Sequence, residues 1–372
     1  MINTITQSTT NIPELAYRTN VWESNPMQLQ LGGATASEAI KYAGLDYEII
    51  KEPLMIHRTG EITDSYAIGR EVVYSTGETE FINFGTVSKD YTVLQATDIA
   101  ERLDPITEQY PVVSIGADES GANIYMFLSA GTQNIAGEEH DLYFIVKDSR
   151  NGRRGLSFTF MPLRLACKNG LVYYNTEASA SATFHHIRSI DKDVSAFSQG
   201  LLPRMADTMA TAVEQFNRMA EVKATESDVN KIVSVAYPEP RLPRELRWLN
   251  ADTNNLVVGL TQEFRQSQIE QSPRYKNYLR SIENVQELKD SVANSYDMFN
   301  SRYAHKGLDN TYWALWNSIV EVEDHGRRLR GHSMANIVGD RASVKTRSFK
   351  SACELWAYNK RVQDSYPFML QG

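Results

Sequence analysis

Two hydrophobic periodicities divide the chain. Up to about residue 190, apolar residues come in short runs, partly alternating with polar ones and broken by Gly, Asn and Asp. That pattern predicts strands. "DYEIIKEPLMI", "REVVYST", "FINFGTVS" and "YTVLQ" read this way, as do the longer "VVSIGADESGANIYMFLSA" and "DLYFIVKDSRNGRRGLSFTFMPLRLA". The inserts "SIGADESGAN" and "DSRNGRRG" place turn formers between apolar runs and predict hairpins. "ATASEAIKYAGL", with Ser37 as cap and Gly44 as stop, and "ATDIAERLDPITEQY" predict two helices. From residue 191 apolar residues recur at helical spacing, in "DVSAFSQGLLPRMADTMATAVEQFNRMAEVKAT", "TNNLVVGLTQEFRQSQ" and "SPRYKNYLRSIENVQELKDSVANSYDMF". The expected fold is α+β, with an antiparallel sheet and hairpins in the N-terminal half and a helical C-terminal half. The expected organisation is an irregular segment over 1–35, a sheet domain over 36–190 and a helical domain over 191–372. Three prolines mark a linker near 237–244.

The segment "NTYWALWNSIVEVEDHGRRLRGH" has the most pronounced pattern. Tyr312, Leu315, Trp316, Ile319 and Val320 form one apolar stripe, after Asp309 or Asn310 as N-cap. Asn317, Glu321, Asp324 and Arg328 share the other face. Glu321–His325 and Asp324–Arg328 are spaced for i,i+4 ion pairs. This predicts an amphipathic helix with a solvated polar face. The polar set Asn317, Glu321, Asp324 and His325 is also a candidate acid–base or metal site.

Charge adds a second asymmetry. The net charge is −8, but residues 1–150 hold 22 acidic against 9 basic residues and the remainder 24 against 29. Within 325–350 seven Lys and Arg face one Asp. Arg327, Arg328, Arg330, Arg341, Lys345, Arg347 and Lys350 therefore make a candidate phosphate-binding surface. Arg153 and Arg154 at a hairpin tip, with Arg164 and Lys168 nearby, are candidates of the same kind. Phe158, Phe160, Tyr173 and Tyr174 could stack on bases where exposed. The plain alternative is a solvated basic face that pairs with the acidic half.

Other chemistry leaves little trace. No phosphate-binding Gly-rich loop with Lys, no His-Glu-x-x-His and no Gly-x-Ser-x-Gly occurs. No catalytic residue, cofactor or metal is therefore expected. "EEHD" (Glu138 to Asp141) is read as a loop before a strand, without metal-ligand spacing. His185 and His186, adjacent on a strand, would point to opposite faces. Cys167 and Cys353 are too few and too far apart for a disulfide scaffold. With no secretory leader and no long apolar run, a cytoplasmic protein with no membrane partner is expected.

Thr311, Trp313, Asn317, Glu321, Asp324 and His325 match the signature Thr-x-Trp-Gly-x-x-Asn-Ala-Val-Thr-Glu-Tyr-Val-Asp-His. With "AGLDYEI", "FGTVSKDYTVLQ", "MPLRLACKNGL" and "FHHIRS", in the same order, the chain resembles an uncharacterised family of phage- and plasmid-borne proteins. It departs from that family's pattern at Gly170, Ala314 and Val320. The resemblance implies a mobile-element origin and no particular activity. Together with the charge pattern it leads to an expected nucleic-acid partner, single-stranded DNA, in recombination or replication, with a homo-oligomer as the fitting assembly. A host-interaction or structural phage protein, or an enzyme using Glu321, Asp324 and His325, are the alternatives.

Overall fold

The structure, a computed structural model, describes residues 28–118, 120–152, 155–164, 169–170, 182–186, 192, 194, 200–244, 270–326 and 340–365. These fall into two compact units, one within Met1–Glu214 and Leu329–Asp340, the other within Gln215–Arg328 and Arg341–Gly372. The fold is α+β, with antiparallel sheets in the N-terminal half and helices in the C-terminal half. Among the described residues no helix is long and apolar enough to cross a membrane.

The first unit is built on β1 (Gln28–Ala34), α1 (Ala36–Tyr42), β2 (Ile50–Ile56), β3 (Glu61–Val73), β4 (Thr79–Ser88) and α2 (Ala96–Thr107). It continues with β5 (Val112–Ala117), β6 (Asn123–Ile135), β7 (Glu138–Ser149), β8 (Leu156–Arg164) and the short β9 (Asn169–Gly170) and β10 (Ala182–Phe184). One sheet runs β1-β5-β6-β7-β8-β10, with β9 also paired to β8, and a second runs β2-β3-β4. All pairings are antiparallel. Both expected hairpins, β5–β6 and β7–β8, form. A third lies between them, where Ala136 and Gly137 turn with φ of 54° and 77°. Two successive positive φ values suit the right-handed twist of a tight hairpin. "EEHD" is therefore the start of β7 rather than a loop, with Glu138 and His140 buried and Glu139 exposed. All of β1 lies in the stretch expected to be irregular, whereas "YTVLQ" forms no strand.

The first half of β6 and the end of β7 are buried without alternation. A sheet covered on both faces loses the polar half of the period-2 pattern. Local caps also differ from expectation. Thr35, not Ser37, caps α1, in a reciprocal pair with Glu38. Ser37 instead gives its Oγ to Asp104 Oδ2 at 2.6 Å and its N–H to Oδ1 at 2.9 Å, tying α1 to α2.

The second unit contains the end of α3 (Leu201–Glu221), then α4 (Glu226–Ala236), α5 (Pro273–Tyr303), α6 (Tyr312–Glu321), a π-helical turn (Val322–Gly326) and most of α7 (Asp340–Ser365). The linker near 237–244 has no regular structure over 237–243. The helix expected at "TNNLVVGLTQEFRQSQ" lies outside the described residues. α6 is the centre of this unit. All nine residues from Tyr312 to Val320 are buried, Asn317 and Ser318 included. It has no solvated face, so the amphipathic reading is corrected. Trp316 stacks on Phe216 of α3, with ring centroids 5.3 Å apart at 15°, and meets Phe349 of α7 at 4.9 Å. Val292, Tyr296, Phe299 and Tyr303 are the buried residues of α5. Polar groups on a fully buried helix need internal partners. Asn317 Nδ2 donates to Trp313 O at 3.0 Å, and Ser318 Oγ to Ala314 O at 2.8 Å. Thr311, not Asp309 or Asn310, caps α6, accepting from Ala314 N–H at 3.1 Å. Asn310 takes the left-handed turn before it, with φ of 54°.

Candidate phosphate-contact residues and a buried polar cluster

The expected polar set does not gather into an open site. α6 ends in the π-helical turn Val322–Gly326, which breaks the 3.6-residue repeat on which i,i+4 pairing depends. Glu321 accepts from Ser295 Oγ on α5 at 3.3 Å, and His325 is exposed. Asp324 turns inward and forms a buried ion pair with Lys345 of α7. Glu323, next to it and 1% exposed, accepts from Tyr237 Oη at 2.8 Å. The turn thus aims two consecutive carboxylates into the unit, which a regular helix would place 100° apart.

Lys345 is the main correction to the basic surface. It is fully buried, with its ammonium on Asp324 and its carbonyl accepting from Trp316 Nε1 at 3.2 Å. It cannot meet a phosphate in solution. Arg347 is half-buried, and its Nη2 donates to Ala236 O at the end of α4, at 2.5 Å. Lys350 is exposed. The side chain of Arg341 and the residues Arg327, Arg328 and Arg330 lie outside the described residues. Arg153, Arg154, Lys168, Tyr173, Tyr174, Cys167 and the side chain of Arg164 do too. Phe158 and Phe160 are 2% and 0% exposed, so they belong to the core and offer no stacking platform. A shallow groove of about 870 Å³ is lined by Glu226, Asn230 and Lys231 of α4 and by Ser351 and Glu354 of α7. Its charges are mixed, so it is not a cationic track.

Sequence reading missed a second group of residues, in the first unit. Asp148 is the last residue but one of β7, Arg150 follows the strand, and His186 follows β10. All three are buried. Arg150 Nε meets Asp148 Oδ2 at 2.5 Å, and His186 Nε2 meets Oδ1 at 3.1 Å. One carboxylate thus holds two side chains that are 36 residues apart in sequence. Burial alone would raise the pKa of Asp148. The Arg150 guanidinium and the His186 hydrogen bond outweigh it and hold the carboxyl below its usual range. Tyr91 stacks on His186, with ring centroids 5.0 Å apart at 17°. Its hydroxyl is pushed up, first by burial and then by the charge of Asp148. The Arg70 guanidinium lies 4.3 Å from the ring centre of Tyr47, whose Oη donates to Gly121 O at 2.6 Å. Below them Ile49, Ile68, Phe84, Val87 and Ala122 form a small apolar cluster against which Tyr47 and Tyr91 pack. The only sequence trace was the pair His185–His186. Their expected opposite facing is seen, with His185 exposed and His186 buried.

Among the described residues no group of three or more His, Cys, Asp or Glu is placed to hold a metal. No curated protein and no solved structure matches the chain. A family model does, that described as Domain of unknown function (DUF932), over residues 83–352. That span covers well over half of the chain, from within β4 to within α7, and includes Asp324, Lys345, Asp148, Arg150, His186 and Tyr91 but not Tyr47 or Arg70. The chain belongs to this family.

Proposed function

We propose that this member of the DUF932 family is a nucleic-acid-binding protein of a phage or other mobile element. In this reading it acts in the host cytoplasm and binds single-stranded DNA during recombination or replication. The observation that carries the reading is the concentration of seven Lys and Arg within 325–350 of an otherwise acidic chain. Such a stretch is the electrostatic footprint of a polyanion partner. The burial of Lys345 narrows the contacting set to Arg327, Arg328, Arg330, Arg341 and Lys350, with Arg347 at its margin. Arginine supports it further, because its planar fork can take two phosphate oxygens at once. Self-association would set copies of this surface along one strand, and a homo-oligomer is part of the proposal.

The test is binding of a fluorescent single-stranded oligonucleotide across a salt series, with duplex as competitor. The wild type is compared with the triple variant Arg327→Ala, Arg328→Ala, Arg330→Ala. Affinity that falls steeply with salt, and a shallower slope in the variant, is the expected result. No binding at low salt would sink the reading and direct attention to a protein partner.

A further inference from the structure

Among the described residues, four polar atoms on linked side chains of the first unit are buried without a hydrogen-bond partner. They are Arg150 Nη1, His186 Nδ1, Arg70 Nε and Tyr91 Oη. The residues are linked to one another. Arg150 and His186 share the carboxylate of Asp148. Tyr91 lies on the His186 ring, and Tyr47, under Arg70, feels the charges of Arg150, Arg70 and Asp148. Buried donors are almost always satisfied, because each one left open costs as much as a lost hydrogen bond. Four such atoms on residues linked in this way call for a ligand or ordered water.

Their chemistry selects the ligand. Both guanidinium nitrogens can only donate, and the tyrosine hydroxyl can donate. His186 presents Nε2 to a carboxylate, so Nδ1 accepts a hydrogen bond from the ligand when the ring is neutral and donates one when it is charged. A ligand rich in acceptor oxygens, one of them protonated at times, matches the hydrogen-bonding chemistry of these four atoms. Arg70 and Tyr91 are only half-buried and mark the side nearest solvent. Asp148 and the half-buried Asp118 balance the two arginines, so the neighbourhood suits a small anion of modest charge rather than a polyanion. We propose that Arg70, Tyr91, Arg150 and His186, held by Asp148, form a binding site for a small oxyanion, inorganic phosphate or the end of a phosphate monoester. This site shares no residue with the basic stretch over 327–350.

The experiment is a titration of the whole chain with inorganic phosphate and, separately, with ribose 5-phosphate, at constant ionic strength set by chloride. Binding is followed by calorimetry and by the rise in Tm. Saturable binding of phosphate is expected. Tyr91→Phe keeps the ring stack and removes one hydroxyl, and should weaken binding about three- to tenfold, the equivalent of one hydrogen bond. Arg150→Lys should abolish it, with circular dichroism confirming the fold. If that variant does not fold, Tyr91→Phe still decides. Binding of the sugar phosphate as well as phosphate identifies a monoester site, and binding of phosphate alone identifies an ion site. No saturable binding, or binding undiminished by Tyr91→Phe, would overturn the proposal and leave ordered water as the partner of these atoms. Binding that vanishes only in the Arg327, Arg328, Arg330 triple variant would overturn it too, by placing the anion on the basic stretch.

Discussion

Lys345 and Asp324 form an ion pair across 21 residues of sequence, with side chains 0% and 4% exposed. The pair joins the π-helical turn after α6 to the first turns of α7. A buried pair of this kind contributes little net energy when intact, yet breaking it from one side leaves a charge without water or a counter-ion.

Lys345→Met should therefore destabilise the protein by about 3–5 kcal/mol, because Asp324 is left buried and alone. The double variant Lys345→Met, Asp324→Leu should recover most of that loss. Urea denaturation of the three proteins at neutral pH measures both values. A single variant as stable as the wild type would show that the pair is not closed to solvent.

The same burial separates two lysines that look equivalent in sequence. Lys350→Ala should lower oligonucleotide affinity and reduce the salt slope by about one unit, as for one lost phosphate contact. Lys345→Met should leave the slope unchanged in whatever fraction remains folded. The readout is the slope of log affinity against log salt for each variant.

Asp148 gives a pH signature. Its folded pKa is depressed, so the unfolded chain takes up the proton first as pH falls. The stabilisation is complete above the unfolded carboxylate value of about 3.9 and is lost as pH falls from there through the folded value. Asp148→Asn should therefore be less stable than the wild type at neutral pH, and the gap in Tm should close in acid below that range. A gap that stays constant from neutral to strongly acid pH would contradict the ion pair with Arg150.

Cys353 should be inert. Burial, with a smaller effect from Glu354, pushes its thiol up to about 12. Only the thiolate is nucleophilic, so the native protein at neutral pH should show slow labelling of Cys353 by iodoacetamide and rapid labelling in denaturant. Peptide mapping by mass spectrometry reads this residue separately from Cys167.

Thr311 is worth one substitution. Its hydroxyl accepts from Ala314 N–H at 3.1 Å and donates to Leu308 O at 2.7 Å, fully buried. Thr311→Ala should cost about 1–2 kcal/mol in urea unfolding, the upper part of the range for a lost N-cap.

Much of the fold was legible because local patterns carried it. Glycine and asparagine between apolar runs marked the β5–β6 and β7–β8 hairpins, and apolar spacing marked α3 and α5 as helices. The errors cluster where a segment is buried on every side. In α6 a Trp and Ile stripe looked like one face of a surface helix, because Asn317, Glu321, Asp324 and Arg328 read as the other. In the structure Asn317, like Ser318 beside it, bonds to the backbone of its own helix and needs no water. Charge counting failed at Lys345 for a related reason: sequence shows that a cation exists but not which carboxylate claims it.

The sequence by itself determined the class of the protein. Periodicity, turn residues and the charge imbalance between halves are local or additive properties, and they yield an α+β chain with a basic stretch near residues 327–350. Only tertiary structure decided which charges face inward. Arg150 and His186 share Asp148, and Lys345 meets Asp324, through pairings between strands or helices distant along the chain. Those pairings depend on strand register and helix packing, where a shift of one residue would turn each side chain to another face.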